Sequence, residues 1–313
     1  MSEAGQPPLP RTFTIETSLA CNLRCPECAI GGGMIERRKG LLSLERFEQL
    51  AEKIRPHCKY LYLHLWGEPL LNRDIVPIIR TASRFTATNI STNAIPLTEP
   101  LARDLVTSGV TEIIVSIDGA SQEVYQRYRV GGDLEKAFEG LRMLQEQNLR
   151  HGRPVTLSPQ FIVFRHNEHE MSAFEQRCRE LGLTAQFKAP YLRSGDGRLA
   201  PPQLPQYRRP QYPDVESART AMRGCPNVRD VFTVLLDGTV VACCHDYAGQ
   251  TRFGNLYESD VAEIWNAPAY QAFRAEVLGG RAPPFCLENC MTYLLASPTA
   301  PAQPPPQVKA PTP

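Results

Sequence analysis

The stretch Thr12-Phe-Thr-Ile-Glu-Thr-Ser-Leu-Ala-Cys21-Asn-Leu-Arg-Cys25-Pro-Glu-Cys28 decides the fold. Residues 12–16 alternate polar and apolar as a strand does, and three cysteines then fall within one short loop. Thiolates are soft ligands suited to iron–sulfur clusters. Three of them cap three irons of a [4Fe–4S] cube and leave the fourth iron without a protein ligand. The plainer alternatives are a zinc knuckle or buried cysteines. Zinc usually takes four ligands in two pairs, whereas this loop offers three.

Outward from that loop, strand-like runs at 12–16, 60–65, 87–91, 112–117, 155–164 and 184–188 alternate with helix-like runs. The helix-like runs lie at 42–54, with Ser43 as N-cap, and at 73–83, 101–107, 134–147 and 170–181. Such alternation implies an α/β fold with a parallel sheet and right-handed crossovers. Six units predict an open, partial (β/α)6 TIM-like barrel, with its chemistry at the C-terminal ends of the strands.

The pattern breaks near Tyr191, and 193–224 reads as a linker, Pro-, Gly-, Arg- and Gln-rich over its first part. Beyond it, 231–236 and 239–243 flank Asp237-Gly238, which predicts a two-residue β-hairpin turn. Residues 261–278 read as one helix. A small α+β domain over 225–292 follows, with disordered ends expected at 1–11 and over the Pro/Ala-rich 293–313.

The 34 basic and 33 acidic residues give a net charge of +1, which offers nothing to a nucleic-acid partner. No signal peptide is visible, and no stretch approaches the ~18 apolar residues of a membrane span. A soluble, cytoplasmic protein is expected. Ten cysteines is a high count, and clustered cysteines in a cytosolic chain bind metal or do redox chemistry. They fall at 21/25/28, 225, 243/244 and 286/290; Cys58 and Cys178 stand alone and read as packing residues.

CxxxCxxC after the first strand of a βα barrel resembles the radical S-adenosylmethionine (SAM) superfamily. The resemblance implies that Cys21, Cys25 and Cys28 hold a [4Fe–4S] cluster whose open iron chelates SAM. Reduction then yields a 5′-deoxyadenosyl radical that abstracts hydrogen from a substrate. Many members have an aromatic residue before the third cysteine; here it is Glu27. Trp66-Gly67-Glu68-Pro69 resembles the GGE motif that meets the SAM amino group, with Trp66 in place of its first glycine. Ser91-Thr92-Asn93 resembles a ribose-contacting segment, and Ser116-Ile117-Asp118-Gly119 another SAM-contacting one. Arg129 is the implied partner of the SAM carboxylate.

Cys225, Gly238 and Cys243, followed by Cys286-Leu-Glu-Asn-Cys290, resemble the twitch domain, a shortened SPASM extension. Phe253-Gly254-Asn255-Leu256 and Ile264-Trp265-Asn266 resemble its intervening segment. The resemblance implies one auxiliary iron–sulfur cluster, of [4Fe–4S] type, on Cys225, Cys243, Cys286 and Cys290. A structural zinc site on the same four residues is the alternative. Cys244 is either a replacement ligand or a free thiol, since strand neighbours point to opposite faces.

The resemblance further implies a flavodoxin- or ferredoxin-type reductant. It also implies a small-molecule substrate such as a sugar, an aminocyclitol or a natural product. Oxidation is one expected outcome. Epimerisation is the other, with Cys244 or Cys178 as hydrogen donor. Modification of a ribosomal peptide and a non-catalytic iron–sulfur or zinc scaffold are the competing readings.

Overall fold

In the computed structural model, six strands share a pattern in which one face is apolar and the other polar. The structure describes residues 8–193 and 197–290. The stretches 1–7 and 293–313, expected to be disordered, and residues 291–292 lie outside the described residues.

The chain runs β1 (Thr12–Ile15), α1 (Leu44–Ile54), β2 (Tyr60–Tyr62), α2 (Ile75–Ala82), β3 (Ala87–Thr92) and α3 (Glu99–Val106). It continues through β4 (Glu112–Ser116), α4 (Gln122–Tyr128), α5 (Leu134–Arg150), β5 (Thr156–Ile162), α6 (Met171–Glu180) and β6 (Gln186–Lys188). These six strands are parallel and follow one another in the order β6-β5-β4-β3-β2-β1. Phe13, Ile15, Leu61, Ile90, Ile113, Val115 and Phe161 are fully buried beneath the helices. Each such side chain contributes about 1.5–3 kcal/mol by leaving water.

The alternate residues face the barrel interior and are polar. Glu112 Oε2 accepts from Asn89 Nδ2 at 2.7 Å and from Tyr60 Oη at 3.2 Å. Its Oε1 accepts from Ser158 Oγ at 2.7 Å, and Gln186 Nε2 donates to that hydroxyl at 3.1 Å. These bonds join β2, β3, β4, β5 and β6 across the floor of the interior. They satisfy polar groups that a dry core would not tolerate.

Ser43 caps α1 as expected, its side chain accepting from Arg46 N. Thr98, Ser121 and Asp133 cap α3, α4 and α5 in the same way. Helix α4 escaped the sequence reading because its seven residues hold too few apolar positions for a clear period.

Beyond the barrel come α7 (Val215–Met222), α8 (Pro226–Asp230), β7 (Val231–Val234), β8 (Thr239–Val241) and β9 (Gly254–Asn255). Helices α9 (Val261–Trp265), α10 (Pro268–Leu278) and α11 (Pro284–Asn289) complete the described chain. Three expectations are corrected. The linker at 193–224 contains α7, capped by Asp214, whose carboxylate accepts from Ser217 N at 2.7 Å. The 261–278 helix is two helices, because Pro268 lacks an N–H and forces Ala267 into an extended conformation. The hairpin turn is wider than a two-residue loop. Leu235 N donates to Thr239 O and Gly238 N donates to Leu235 O, both at 2.9 Å. Only Gly238 of the turn has positive φ, +89°. A turn with one left-handed glycine at its end gives a three-residue loop with a bulge.

β7 lies parallel to β1, with Phe13 opposite Phe232, so the C-terminal region extends the barrel's own sheet. The joint is strengthened by Glu16, fully buried, which Arg37 grips with Nη1 and Nη2, both at 2.9 Å. Leu236 N donates to the same carboxylate at 3.0 Å, and Arg37 Nε donates to Tyr247 O at 2.7 Å. Among the described residues no helix is long and apolar enough to cross a membrane.

Candidate active site

The loop after β1 folds around its own cysteines. Cys28 N donates to Cys25 O at 3.1 Å, Gly32 N donates to Cys28 O at 2.7 Å, and Leu23 N lies 3.4 Å from Cys21 Sγ. A Cβ on Gly31 would sit 2.3 Å from Cys25 N, so only glycine lets the loop close over that residue. Glu27 is buried, and its carboxylate accepts from Arg193 N, while Arg193 Nη1 donates to Glu27 O at 3.1 Å. The residue standing where an aromatic was expected thus ties the cysteine loop to the segment after β6.

Burial pushes the Cys25 thiol up to about 12 and the Cys21 thiol up to about 11; each also feels the charge of the other cysteines and of Arg129. Both are therefore protonated without metal, and binding one must displace the protons. Among the described residues no three His, Cys, Asp or Glu side chains converge on a single ion. Three soft sulfurs, with no imidazole or carboxylate among them, fit a cube, whose irons spread their ligands more widely than one ion does.

The ends of β2, β3 and β4 surround this loop. Gly67 has φ +88°, and a Cβ there would lie 2.5 Å from Ser18 O and 2.8 Å from Ala20 O. The glycine lets the 66–69 turn pack on the backbone leading into the cysteines. Glu68 N donates to Ala20 O at 2.8 Å. The Glu68 carboxylate is 2% exposed and accepts from Thr92 Oγ1 at 2.6 Å, Asn93 N at 2.8 Å and Leu70 N at 3.1 Å. Pro69 opens the short turn that follows. The side chain of Glu68 is thus occupied in joining β2 to β3. No described hydrogen bond reaches the Trp66 or Gly67 carbonyl. Asn93 Nδ2 donates to Asn22 Oδ1 at 2.9 Å, inside the cysteine loop, and Ser91 and Ser116 meet at 3.4 Å.

Asp118 is fully buried. Its Oδ2 accepts from Arg129 Nε at 2.5 Å and its Oδ1 from Ile162 N at 2.5 Å. Burial pushes this carboxyl up, opposed chiefly by Arg129. The aspartate therefore acts by holding Arg129, whose Nη nitrogens have no described partner and whose charge reaches Cys21 and Cys25.

The second cysteine group is assembled by α8, α11 and the residues after β8. Cys243 and Cys286 are buried, and Cys225 packs against them. The charge of Cys225 is felt by Cys243, Cys244, Cys286 and Cys290. Burial pushes the Cys286 thiol up to about 12 and the Cys290 thiol up to about 11. Both of the adjacent pair feel Cys225; Cys243 also feels Cys286, whereas Cys244 also feels Arg193 and acts in turn on Cys290 and on Tyr62 of β2. Asn227 Nδ2 lies 3.8 Å from Cys244 Sγ.

The sequence model of the Radical SAM superfamily matches residues 15–174, just over half of the chain, and an iron–sulfur cluster-binding domain model, SPASM, matches 225–291. The chain belongs to the radical SAM superfamily. It is 28% identical over 158 residues to a GTP 3′,8-cyclase of Peptoclostridium acidaminophilum, covering 49% of this chain and 47% of that one. It is 26% identical over 178 residues to an AdoMet-dependent heme synthase of Methanosarcina barkeri, covering 56% and 49%. It is also 25% identical over 177 residues to mycofactocin maturase MftC of Mycolicibacterium smegmatis, covering 56% and 43%. The matches thus span about half the length of these curated relatives or less. Among solved structures, BtrN in complex with AdoMet and 2-DOIA superposes with a TM-score of 0.57 at 18% identity, covering 88% of this chain and 89% of that one. The fold of SuiB from Streptococcus suis gives a TM-score of 0.63 at 13% identity, covering 85% and 68%.

For a radical SAM enzyme with a SPASM region, SAM and [4Fe–4S] clusters are the implied cofactors, and the two cysteine groups have the matching chemistry. Not every candidate residue reaches the site. Cys178 is fully exposure-free in α6, packed in the outer core with Phe174, and burial pushes its thiol up to about 12. Cys58 sits in the same core. Conversely, Tyr62 and His64 meet at the end of β2, their rings 5.7 Å apart, and Tyr191 and Arg209 gather beside His245. Arg209 stacks on Tyr191 at 3.4 Å, and Tyr191 meets His245 at 4.8 Å. Burial holds the His64 ring down at about 4, so it is neutral. The sequence signal for Tyr62 and His64 was their place on the polar face of β2 and just beyond it; Arg209, well past β6, gave none.

Proposed function

We propose that this radical SAM enzyme oxidises a small polyol-type substrate, a sugar, aminocyclitol or related natural product, by dehydrogenation. When bound, the first cluster with SAM supplies a hydrogen-abstracting 5′-deoxyadenosyl radical, and the auxiliary cluster supplies an electron acceptor. The observation that carries the reading is the polar interior joining the two cysteine groups. Asn89, Glu112, Ser158 and Gln186 line that interior in one hydrogen-bonded chain, and Tyr191, beyond β6, meets His245 after β8. The polar ends of β2 to β6 offer hydrogen bonds to hydroxyl groups there. Trp66–Gly67 backbone carbonyls accept the SAM amino group, and Arg129, oriented by Asp118, holds its carboxylate. Ser91, Asn93 and Ser116 face the ribose. Cys225, Cys243, Cys286 and Cys290 ligate the auxiliary cluster, and Cys244 lines the interior.

Cys244 also supports a second reading, epimerisation, in which its thiol donates the returning hydrogen from the opposite face. Product mass separates the two. Anaerobically reconstituted enzyme, SAM, dithionite and a panel of aminocyclitols and sugar alcohols are expected to yield a product lighter by two hydrogens, one per 5′-deoxyadenosine. A product of unchanged mass in H2O that gains one deuterium in D2O, lost in Cys244→Ala, assigns epimerisation. Turnover of peptides alone assigns the enzyme to peptide modification, which the likeness to a mycofactocin maturase keeps in view.

A further inference from the structure

The far limb of the cysteine loop returns to the barrel beside the segment that enters it. Leu19 N donates to Gly40 O at 2.8 Å, Leu42 N donates to Thr17 O at 3.0 Å, and Ser18 pairs with Leu41 between them. Gly40 is therefore held against Leu19, two residues before Cys21, and two residues of chain span at most about 7 Å. Gly40 also packs on the turn after β7, where a Cβ would lie 3.0 Å from Leu236 Cδ2.

The limb, α1 and the turn between β7 and β8 form a concavity of about 390 Å³, lined by Arg38, Lys39, Leu41, Arg46, Leu236 and Asp237, with Arg37 in its wall. Arg37 is neutralised by Glu16. Arg38 and Lys39 are exposed and, among the described residues, form no ion pair and no side-chain hydrogen bond. The Arg46 guanidinium lies 4.5 Å from the Tyr257 ring, which fixes it without cancelling its charge. Among the described residues of the lining Asp237 is the one carboxylate, and its Oδ1 already accepts from Thr239 N at 3.0 Å. Glu36 and Glu45 lie near in sequence but outside the lining. Leu41, 45% exposed, stands among the cations. An exposed leucine ringed by three cations is a small, charged contact of the kind that suits a transient electron-transfer encounter.

Reduction of the first cluster takes an electron from outside the chain. The strand ends implied for SAM lie on the barrel side of the cysteine loop, which leaves the outer limb for a donor. We propose that this concavity docks an acidic one-electron carrier protein, which reduces the first cluster through the loop it touches. One electron leaves the carrier and enters the cluster, and no bond is made or broken. The docking site rests on membership of the family and not on the dehydrogenation reading.

5′-Deoxyadenosine formation from SAM, without substrate, is followed on anaerobically reconstituted enzyme. The electron comes from reduced flavodoxin, from reduced ferredoxin, or from reduced methyl viologen, a small cation that needs no docking face. Arg38→Glu/Lys39→Glu is expected to raise the KM for a carrier by about 10- to 100-fold and to leave the methyl viologen rate unchanged. Binding of the oxidised carrier, measured by surface plasmon resonance, should weaken in the same proportion. Added salt should slow the carrier-driven reaction of the wild type far more than that of the variant. Arg38→Lys/Lys39→Arg should keep wild-type behaviour, and Leu41→Asp should weaken the carrier as well.

Equal carrier KM and binding in the wild type and the double glutamate variant overturn the proposal. A wild type reduced by methyl viologen but by neither carrier overturns it too. So does an equal fall with all three reductants, because the two residues then support the cluster itself. Carrier docking that depends on Arg38 and Lys39, in an enzyme whose product is not dehydrogenated, leaves this inference standing and removes the dehydrogenation reading.

Discussion

Replacing Cys21, Cys25 and Cys28 together by alanine is expected to lower the iron content from about eight to about four per chain and to abolish 5′-deoxyadenosine formation. The three thiols occupy one loop whose closure depends on Gly31 and on the Glu27–Arg193 tie. The four irons that remain report the C-terminal cysteines, so the same variant also tests for a second cluster. Its absorption spectrum and EPR should keep an iron–sulfur signal that no longer responds to SAM. Zinc in place of iron, or 5′-deoxyadenosine formation at the wild-type rate, would sink the assignment. Because the loop packs in a small cluster with Tyr128, Phe164 and Leu199, apart from the main core beneath the helices, the variant should still fold. Circular dichroism checks that.

Arg129→Leu is expected to cost about 3–5 kcal/mol of stability, measured by urea unfolding, because it strands a fully buried carboxylate. Asp118 would be left with Ile162 N alone as a partner. Burial already pushes this carboxyl up, with Arg129 the main opposing influence. Without the arginine it climbs further and takes up a proton. The sign follows. A carboxyl whose folded-state value lies above its unfolded value favours the fold at low pH and loses that contribution as pH rises through the folded value. The deficit of the variant should therefore grow as pH rises above the ordinary carboxylate range. Arg129→Lys keeps a charge but loses the fork, and should recover part of the stability while SAM affinity stays low. A pH-independent deficit would mean that Asp118 is not the group left unpaired.

Much of the barrel was legible because its signals are local. Period-two strands, helix caps at Ser43 and the punctuating prolines and glycines act over a few residues. The cysteine spacing belongs to the same class, since three thiols within eight residues can reach one cluster. Where an expectation failed, a local rule had been read too loosely. Asp237-Gly238 suits a tight hairpin, yet only the glycine takes positive φ, so the loop is longer. Pro268 breaks a helix that hydrophobic spacing had joined.

The sequence by itself determined the family, the open βα barrel and the two groups of cysteines, because spacing and periodicity are properties of neighbours along the chain. Only the tertiary structure decided which side chains share a space. It turned the Glu68 carboxylate into a strap between strands and Asp118 into the holder of Arg129. It withdrew Cys178 into the outer core. Each of these outcomes depends on strands distant in sequence lying side by side. Burial and hydrogen-bond partners, which decide whether a polar residue supports the fold or meets a ligand, arise only once those strands are in register.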